Sequence, residues 1–174
     1  ALCSDGTVRG WGANSRGQAL GSPSTYPGRA AGVVTINGQI LSNVVAIAAG
    51  WIHSHAILNN GTMVGWGTEF DGGNIEVPGG LSNVVSIAGW YSLIAKSDGS
   101  VVAWGRGNQH TISGLTNIVT VSAPRSDHGP LVALQKDGTV VESTLANPPV
   151  LSIVVSTATA ISAGRWQKLA LKSD

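Results

Sequence analysis

The chain has 174 residues, of which 43% are hydrophobic and only 11% are charged, and this argues against a disordered protein and for a buried core. Ten basic and nine acidic side chains give a net charge of +1 without any run of like charge. We therefore expect no nucleic-acid partner, because nucleic-acid-binding proteins carry a basic stripe. The single cysteine, Cys3, excludes an internal disulfide and a zinc site built from cysteines.

Glycine is frequent, with 24 residues, and many glycines lie among short runs of Val and Ile. This pattern is typical of tight turns between strands and predicts an all-β fold. No apolar stretch reaches the roughly 20 residues that a membrane-spanning helix needs, so we expect no membrane partner. The sequence starts at Ala1 without Met or a signal peptide, which indicates a processed protein or a fragment.

One pattern recurs along the chain. Residues 1–12, 56–67 and 94–105 each carry Asp-Gly or Asn-Gly in the middle and Trp-Gly at the end. Residues 133–142 are a copy without Trp-Gly, and residues 170–174 begin a further copy. A second element, typified by Leu-Ser-Asn-Val-Val, precedes the later copies in residues 41–50, 81–89, 115–123 and 159–164. A β-type repeat of roughly 40 residues is typical of propeller blades.

Four strands can be assigned to each repeat. Strand A is the Val-Val element, strand B ends at the Asp-Gly or Asn-Gly turn, strand C runs to the Trp, and strand D follows in a variable stretch. We interpret each turn as a two-residue hairpin with positive φ at both turn residues. The predicted fold is an all-β propeller of four-stranded antiparallel blades, with about four blades present in a partial ring.

The repeats resemble those of the regulator of chromosome condensation family. The resemblance rests on Ala-Ala-Gly-Trp-Ile-His-Ser-His-Ala-Ile at 48–57 and Trp-Gly-Ala-Asn-Ser-Arg-Gly-Gln at 11–18, and it covers nearly the whole chain. The low-charge copies look most like the bacterial branch, which includes a secreted β-lactamase inhibitory protein. The resemblance implies a propeller whose relatives commonly close a ring of seven blades, and it favours a secreted or cell-surface location. Ser143-Thr144 in place of Trp-Gly and an insert around residues 23–40 depart from the pattern.

We expect one propeller region, residues 1–174, with blades at about 1–40, 41–80, 81–114 and 115–150 and a partial blade at 151–174. Strand B falls at both ends of this region, so a terminal strand cannot close the ring on itself. An open arc exposes apolar faces and strand edges. We therefore expect additional blades from a longer chain, or self-association of two or more copies.

Alternation of strands predicts that the A–B and C–D loops share one face of the propeller. That face concentrates aromatic residues, Arg and His, which protein interfaces favour. The predicted binding residues are Trp51, Ile52, His53, Phe70, Trp90, Tyr91, Arg106, Arg165 and Trp166. By contrast, Trp11, Trp66 and Trp104 recur at one strand position and are predicted to pack between blades, while Ser54 and Ser92 are predicted to satisfy backbone groups rather than act as nucleophiles.

Catalytic chemistry has little support in the sequence, and we expect no enzyme activity and no cofactor. His53 and His55 share one side of a strand and could form a metal pair, but no third ligand is indicated by the spacing. The acidic residues are scattered singly. The favoured function is a non-catalytic protein-binding module that uses the A–B/C–D loop face. The alternatives are a carbohydrate-binding propeller, in which Trp51, Trp90 and Trp166 stack on sugar rings, and a structural repeat region of a larger secreted or surface protein.

Overall fold

The computed structural model describes residues 1–24, 28–68, 75, 77–88, 92–105, 108–124, 130–144, 150–164 and 166–173. The secondary structure of these residues is entirely β. The strands form antiparallel sheets of two to four strands in chain order, which confirms the predicted all-β propeller architecture.

Five sheets follow one another as blades 1 to 5, and they are built from these strands: blade 1, β1 (Arg9–Ala13) and β2 (Arg29–Val33); blade 2, β5 (Val44–Ala49), β6 (His53–Leu58) and β7 (Met63–Gly67); blade 3, β8 (Val84–Ala88), β9 (Ser92–Lys96), β10 (Val101–Gly105) and β11 (Asn108–Thr111); blade 4, β12 (Ile118–Ser122), β13 (Leu131–Gln135), β14 (Val140–Ser143) and β15 (Leu151–Val155); blade 5, β16 (Ala158–Ala163) and β17 (Lys168–Lys172). A small hairpin, β3 (Thr35–Ile36) and β4 (Gln39–Ile40), lies between blades 1 and 2.

The boundary between blades 4 and 5 differs from the predicted one. Strand β15 pairs with β14 and is the fourth strand of blade 4, so this blade extends to Val155 rather than to residue 150. The sequence places residues 151–155 in the next repeat because strand D has no repeated motif of its own. Its assignment depends on which strand it pairs with, and the pairing is visible only in the structure.

The hydrophobic core is a series of layers between consecutive blades. Trp66 of blade 2 packs against Val8 and Val34 beside blade 1, and Trp104 of blade 3 packs against Ile57 and Met63 of blade 2. Further layers join blades 3 and 4 and blades 4 and 5. Trp66 and Trp104 therefore each pack on the preceding blade, which confirms the prediction for these two residues.

Trp11 occupies the same strand position but is 68% exposed, against 6% for Trp66 and 5% for Trp104. The prediction that Trp11 packs between blades is therefore wrong for this chain. The physical reason is the direction of packing. A strand C tryptophan is covered by the blade before it, and no described sheet of this chain precedes blade 1.

The B–C turns differ from the predicted two-residue type. In each of them only the glycine has a positive φ, for example +80° at Gly99. The Gly6 N–H donates to the Cys3 carbonyl and the Cys3 N–H to the Thr7 carbonyl, over 3.0 and 2.9 Å. This is the longer hairpin loop, in which a type I turn is followed by a left-handed glycine. Positive φ at two successive turn residues occurs instead at Asn37 and Gly38, between β3 and β4.

Candidate functional site

Two A–B loops are closed by the same kind of backbone hydrogen bond, which spans three residues. The Gly50 N–H donates to the His53 carbonyl over 2.9 Å in blade 2, and the Gly164 N–H donates to the Gln167 carbonyl over 2.8 Å in blade 5. These hydrogen bonds hold the ends of the two loops together, on either side of Trp51 and of Trp166. Trp51 is 55% exposed and Trp166 is 82% exposed. Both predicted tryptophans that the structure describes therefore lie on the surface of the A–B loop face.

The ends of four A strands meet around one hollow on this face. Its volume is about 530 Å³ and its lining comes from blades 2, 3, 4 and 5, with these residues: Ala49, Gly50, Trp51, Ile87, Ala88, Val121, Ser122, Ala123, Ala163 and Gly164. We call it the axial hollow. Residues that are far apart in the sequence converge here because strand A lies on the same side of every blade.

Serine hydroxyls help to hold the A strands at this spacing. The Val121 N–H donates to Ser86 Oγ over 3.1 Å, and the Ala163 N–H donates to Ser122 Oγ over 2.9 Å. Each bond joins the A strands of two consecutive blades. The wall of the axial hollow is therefore tied together across blades 3, 4 and 5, which favours a preformed shape.

The axial hollow is lined mainly by small uncharged residues. Among its described lining residues there is no Asp, Glu, Lys or Arg, and the one large aromatic side chain is Trp51. Such a surface offers backbone polar groups and small apolar side chains, but no side-chain charge for recognising an ion. The prediction from sequence included Trp51 but missed the other lining residues. The available signal was the repeated Ala or Ala-Gly at the end of each strand A, in residues 48–50, 88–89, 123 and 163–164.

The C–D loop of blade 1 is held by the buried side chain of Asn14. Its oxygen accepts hydrogen bonds from the Ala19 and Leu20 N–H groups, over 2.9 and 3.0 Å, and its nitrogen donates to the Ser22 carbonyl over 2.9 Å. The side chain is fully buried, so these bonds replace those it would make with water. The loop is therefore a fixed part of the A–B/C–D face.

The same loop is attached to blade 2 through the carbonyl of Gln18. That oxygen accepts hydrogen bonds from Trp66 Nε1 over 3.1 Å and from Ser54 Oγ over 2.9 Å. The role predicted for Ser54, satisfying a backbone group, is confirmed. Ser92 is fully buried.

His53 does not lie on the binding surface where the sequence prediction places it. It is 5% exposed, and its ring packs edge-on against His55 with 5.1 Å between the ring centroids. The ring of His55 in turn packs against Trp104. The physical reason is strand alternation, which turns positions 53 and 55 to the same, interior side of β6. Ile52 is half-buried.

The other predicted binding residues lie outside the described residues: Phe70, Trp90, Tyr91, Arg106 and Arg165. Within the described ranges no group of three or more His, Cys, Asp or Glu side chains could hold a metal ion. The part of the chain with known structure also contains no helix that could span a membrane.

The opposite face carries the B–C turns, whose carboxylates have a lowered pKa. The hydroxyl and the N–H of Ser100 donate to Asp98 Oδ1 over 2.6 and 3.0 Å. Together with Lys96, whose Nζ lies 3.3 Å from Asp98 Oδ2, these bonds lower the pKa of Asp98 from 3.8 to about 2. Hydrogen bonds from Thr7 and Thr139 likewise lower the pKa values of Asp5 and Asp137. The described part of this face is polar and repetitive, and neither Trp51 nor Trp166 lies on it.

Comparison with known proteins finds no matching protein-family model. A curated relative, protein pim1 of Schizosaccharomyces pombe, is 30% identical over 148 residues, which are 74% of this chain and 27% of pim1. The chain thus spans about a quarter of that protein.

Solved structures with the same fold include human WBSCR16, with a TM-score of 0.69 and 16% identity over 99% of this chain and 55% of that one. They also include Prp20p of Saccharomyces cerevisiae, with a TM-score of 0.72 and 16% identity over 99% of this chain and 53% of that one. Yeast RCC1 (Prp20) bound to Kap60 has a TM-score of 0.68 at 18% identity over 97% of this chain and 51% of that one.

The chain therefore spans about half the length of these structures. The bacterial branch and a secreted or cell-surface location stay predictions. The antiparallel blades and these similarities show that the chain has the β-propeller fold of regulator of chromosome condensation type proteins, and its repeated Asp-Gly and Trp-Gly motifs resemble the repeats of that family.

Proposed function

We propose that this chain is a non-catalytic protein-binding module whose partner docks on the A–B/C–D loop face. The observation that carries the proposal is the axial hollow, in which the A strands of four blades meet beside the exposed Trp51. A preformed concave surface next to a large aromatic side chain is the arrangement in which a few residues dominate binding energy.

The chemistry of the axial hollow favours an uncharged side chain or a short loop of the partner. Its volume of about 530 Å³ is within the range of ligand sites in proteins, and its described lining carries no charge. Trp51 and Trp166 supply large contact areas at a low cost in side-chain entropy. The absence of charge among the described lining residues gives an anion or a metal ion little to bind.

The structural relatives support a protein as the partner. Prp20p of yeast has described binding properties to Gsp1p and histones, and it is also known bound to Kap60. These partners are those of the yeast protein, and the present chain covers about half of it. We carry over the class of partner, a protein, and not its identity.

The experiment compares four versions of the chain as bait: the parent, Trp51→Ala, Ala49→Arg and Lys136→Ala. Trp51 and Ala49 line the axial hollow, whereas Lys136 is exposed in a B–C turn on the opposite face. Any protein retained by the parent is identified, purified and titrated against all four versions, each first shown to be folded by thermal melting.

We expect Trp51→Ala to weaken binding about thirtyfold, the equivalent of about 2 kcal/mol for a residue that dominates an interface. Ala49→Arg places a charged side chain in the axial hollow and should weaken binding at least as much. Lys136→Ala should bind like the parent. If the two loop-face variants bind normally while Lys136→Ala fails, the partner uses the other face and the proposal is wrong. Binding of glycans instead of any protein would favour the carbohydrate alternative.

A further inference from the structure

The chain contains two Asn-Gly dipeptides, at residues 37–38 and 60–61, and both lie in hairpin turns. In an Asn-Gly sequence the asparagine side chain can react with the backbone that follows it. The nitrogen of the next residue attacks the side-chain carbonyl carbon, and glycine has no Cβ to shield that nitrogen. Since the dipeptide is the same in both turns, a difference in reactivity has to come from the structure around it.

The turn at Asn60 is held by hydrogen bonds on both reacting groups. Asn60 Oδ1 accepts from the N–H of Thr62 over 3.0 Å and from its hydroxyl over 2.7 Å. The Gly61 N–H donates to the Leu58 carbonyl over 2.9 Å. Thr62 therefore keeps the side-chain amide in place, and the nitrogen that would attack it is bound to another acceptor.

Gly61 is also fixed by the next blade. Its carbonyl accepts from the Val84 N–H over 3.1 Å, and a Cβ at Gly61 would lie 3.0 Å from the backbone nitrogen of Asn83. The attack requires rotation of the backbone at the turn. Because the turn is part of the junction between blades 2 and 3, such a rotation would disrupt that junction as well.

The turn at Asn37 has none of these restraints. Within the described ranges no hydrogen bond involves the Asn37 side chain or the Gly38 N–H. Both residues are exposed, and no atom lies within 4 Å of the position of a Gly38 Cβ. The flanking strands β3 and β4 have two residues each and form a separate sheet. A loop tip with so few contacts opens locally at a low cost in free energy.

We propose that Asn37 is a site of spontaneous deamidation in the folded protein and that the fold protects Asn60. The Gly38 nitrogen forms a bond to Asn37 Cγ and gives up its proton, while the bond from Cγ to Nδ2 breaks and ammonia leaves. The product is a cyclic imide. Water, the only co-reactant, then adds to one of the two imide carbonyls, which leaves either aspartate or isoaspartate at position 37. No oxidation or reduction is involved.

The modified turn differs from the original in charge and in backbone length. Either product adds one negative charge to a chain whose net charge is +1, and isoaspartate also lengthens the backbone by one methylene. The hairpin is anchored at its base, where the Leu41 N–H donates to the Val34 carbonyl over 3.0 Å and both side chains are buried. The blades should therefore stay folded after the change, with the same melting temperature.

The test follows both asparagines in one sample of the whole chain. The protein is kept in mildly alkaline buffer below its melting temperature, and portions taken over time are digested with chymotrypsin and analysed by mass spectrometry. Cleavage after Trp51 separates the two asparagines into different peptides. Isoaspartate is identified by methyl transfer from S-adenosylmethionine with a purified isoaspartyl methyltransferase. A parallel sample is kept in concentrated urea.

We expect deamidation of the folded protein to be at least about tenfold faster at Asn37 than at Asn60, the factor that corresponds to two hydrogen bonds. In urea the two rates should become similar, because both turns are then unfolded. If Asn37 reacted no faster than Asn60 in the folded protein, or reacted only in urea, the proposal would be overturned.

Thr62→Val tests the structural cause of the protection. Valine has nearly the shape of threonine and keeps the backbone N–H, but it removes the hydroxyl that donates to Asn60 Oδ1. Deamidation at Asn60 should become roughly fivefold faster, the equivalent of one hydrogen bond, while Asn37 keeps its rate. Thr7→Val, the same replacement in the B–C turn before blade 2, is the matched control and should change neither rate. An Asn60 rate that Thr62→Val leaves unchanged would overturn the protection assigned to Thr62.

Discussion

The backbone N–H of Val84 donates a hydrogen bond of 3.1 Å to the carbonyl oxygen of Gly61, and this bond fixes the start of blade 3 to the B–C turn of blade 2. The same link recurs at every described junction: Val44 to Gly6 over 3.0 Å, Ile118 to Gly99 over 3.2 Å, and Ala158 to Gly138 over 2.9 Å. The turn glycine is therefore part of the contact between blades as well as of its own hairpin.

Replacing a turn glycine should weaken a blade junction. Gly99 has φ of +80°, and a Cβ there would lie 2.6 Å from the backbone nitrogen of Asn117 at the start of blade 4. A left-handed conformation alone costs a residue with a Cβ about 1–2 kcal/mol. We expect Gly99→Ala to lower the free energy of unfolding by more than this, because the backbone of the next blade must also move. Chemical denaturation measures the loss.

Gly38→Ala is the matched control for that experiment. Gly38 has φ of +78° but no atom within 4 Å of the position of a Cβ. It should show the conformational cost alone, about 1–2 kcal/mol. Equal losses for Gly99→Ala and Gly38→Ala would mean that the junction accommodates a methyl group and that its close contact does not matter for stability.

Truncation of the strand C tryptophans should destabilise the protein in proportion to how deeply each side chain is buried. Trp66→Ala and Trp104→Ala each remove a buried side chain, and such a truncation typically costs about 3–5 kcal/mol. Trp11→Ala, at a position that is 68% exposed, should change the stability of the dilute protein by no more than about 0.5 kcal/mol. Thermal melts of the three variants check this. A large loss for Trp11→Ala would mean that the side chain is covered in solution.

The stability of the chain should carry an acid-dependent contribution from Asp98. Hydrogen bonds from Ser100 lower the pKa of Asp98 from 3.8 to about 2 in the folded protein. The contribution is therefore fully present above pH 3.8 and is lost as the pH falls toward 2. We expect the stability difference between the parent and Asp98→Asn to shrink over this window when unfolding is measured at successive pH values.

Asn is a fair replacement because the chain already has one at the equivalent turn. Asn60 Oδ1 accepts from the N–H and the hydroxyl of Thr62 over 3.0 and 2.7 Å, as Asp98 does from Ser100. The variant therefore keeps the acceptor and removes only the titrating charge. If the stability difference between the parent and Asp98→Asn stayed constant between pH 4 and pH 2, titration of Asp98 would not be the cause of the acid dependence.

The side chain of Asn14 should be required to keep the C–D loop of blade 1 in a single conformation. Asn14→Ala leaves the Ala19 and Leu20 N–H groups without their acceptor, and an unsatisfied buried group costs about 1–3 kcal/mol. Asn59→Ala, at an exposed position, is the control and should be nearly neutral. Hydrogen exchange gives the sharper measurement, with faster exchange expected at positions 19 and 20 of the variant only.

Much of the fold could be predicted from the sequence because the determinants are local. The glycines at 6, 61, 99 and 138 identify the hairpins, and the alternation of strands assigns the face that carries Trp51 and Trp166. The exposure of Trp11 could not be predicted, because its burial depends on a neighbouring blade and not on its own strand. His53 was placed on the surface because position 53 was assigned to a loop, whereas it begins β6 and is turned inward.

The axial hollow was missed for a related reason. Ala49, Ala88, Ala123 and Ala163 are individually unremarkable small residues at the ends of strands. They form a site only when the blades stand side by side. The position of β15 was equally dependent on pairing, since residues 151–155 carry no repeated motif that would assign them to a blade.

The link from each turn glycine to the next strand A has a consequence for synthesis. A ribosome releases the chain from its amino end, so the turn at Gly61 is available before Val84 emerges. Each new strand A can therefore dock on a turn that is already folded, and no contact of this kind has to wait for a distant part of the chain. A short sequence separation between contacting residues favours fast folding. We expect nascent chains arrested after successive blades to become protease-resistant in steps, one blade at a time.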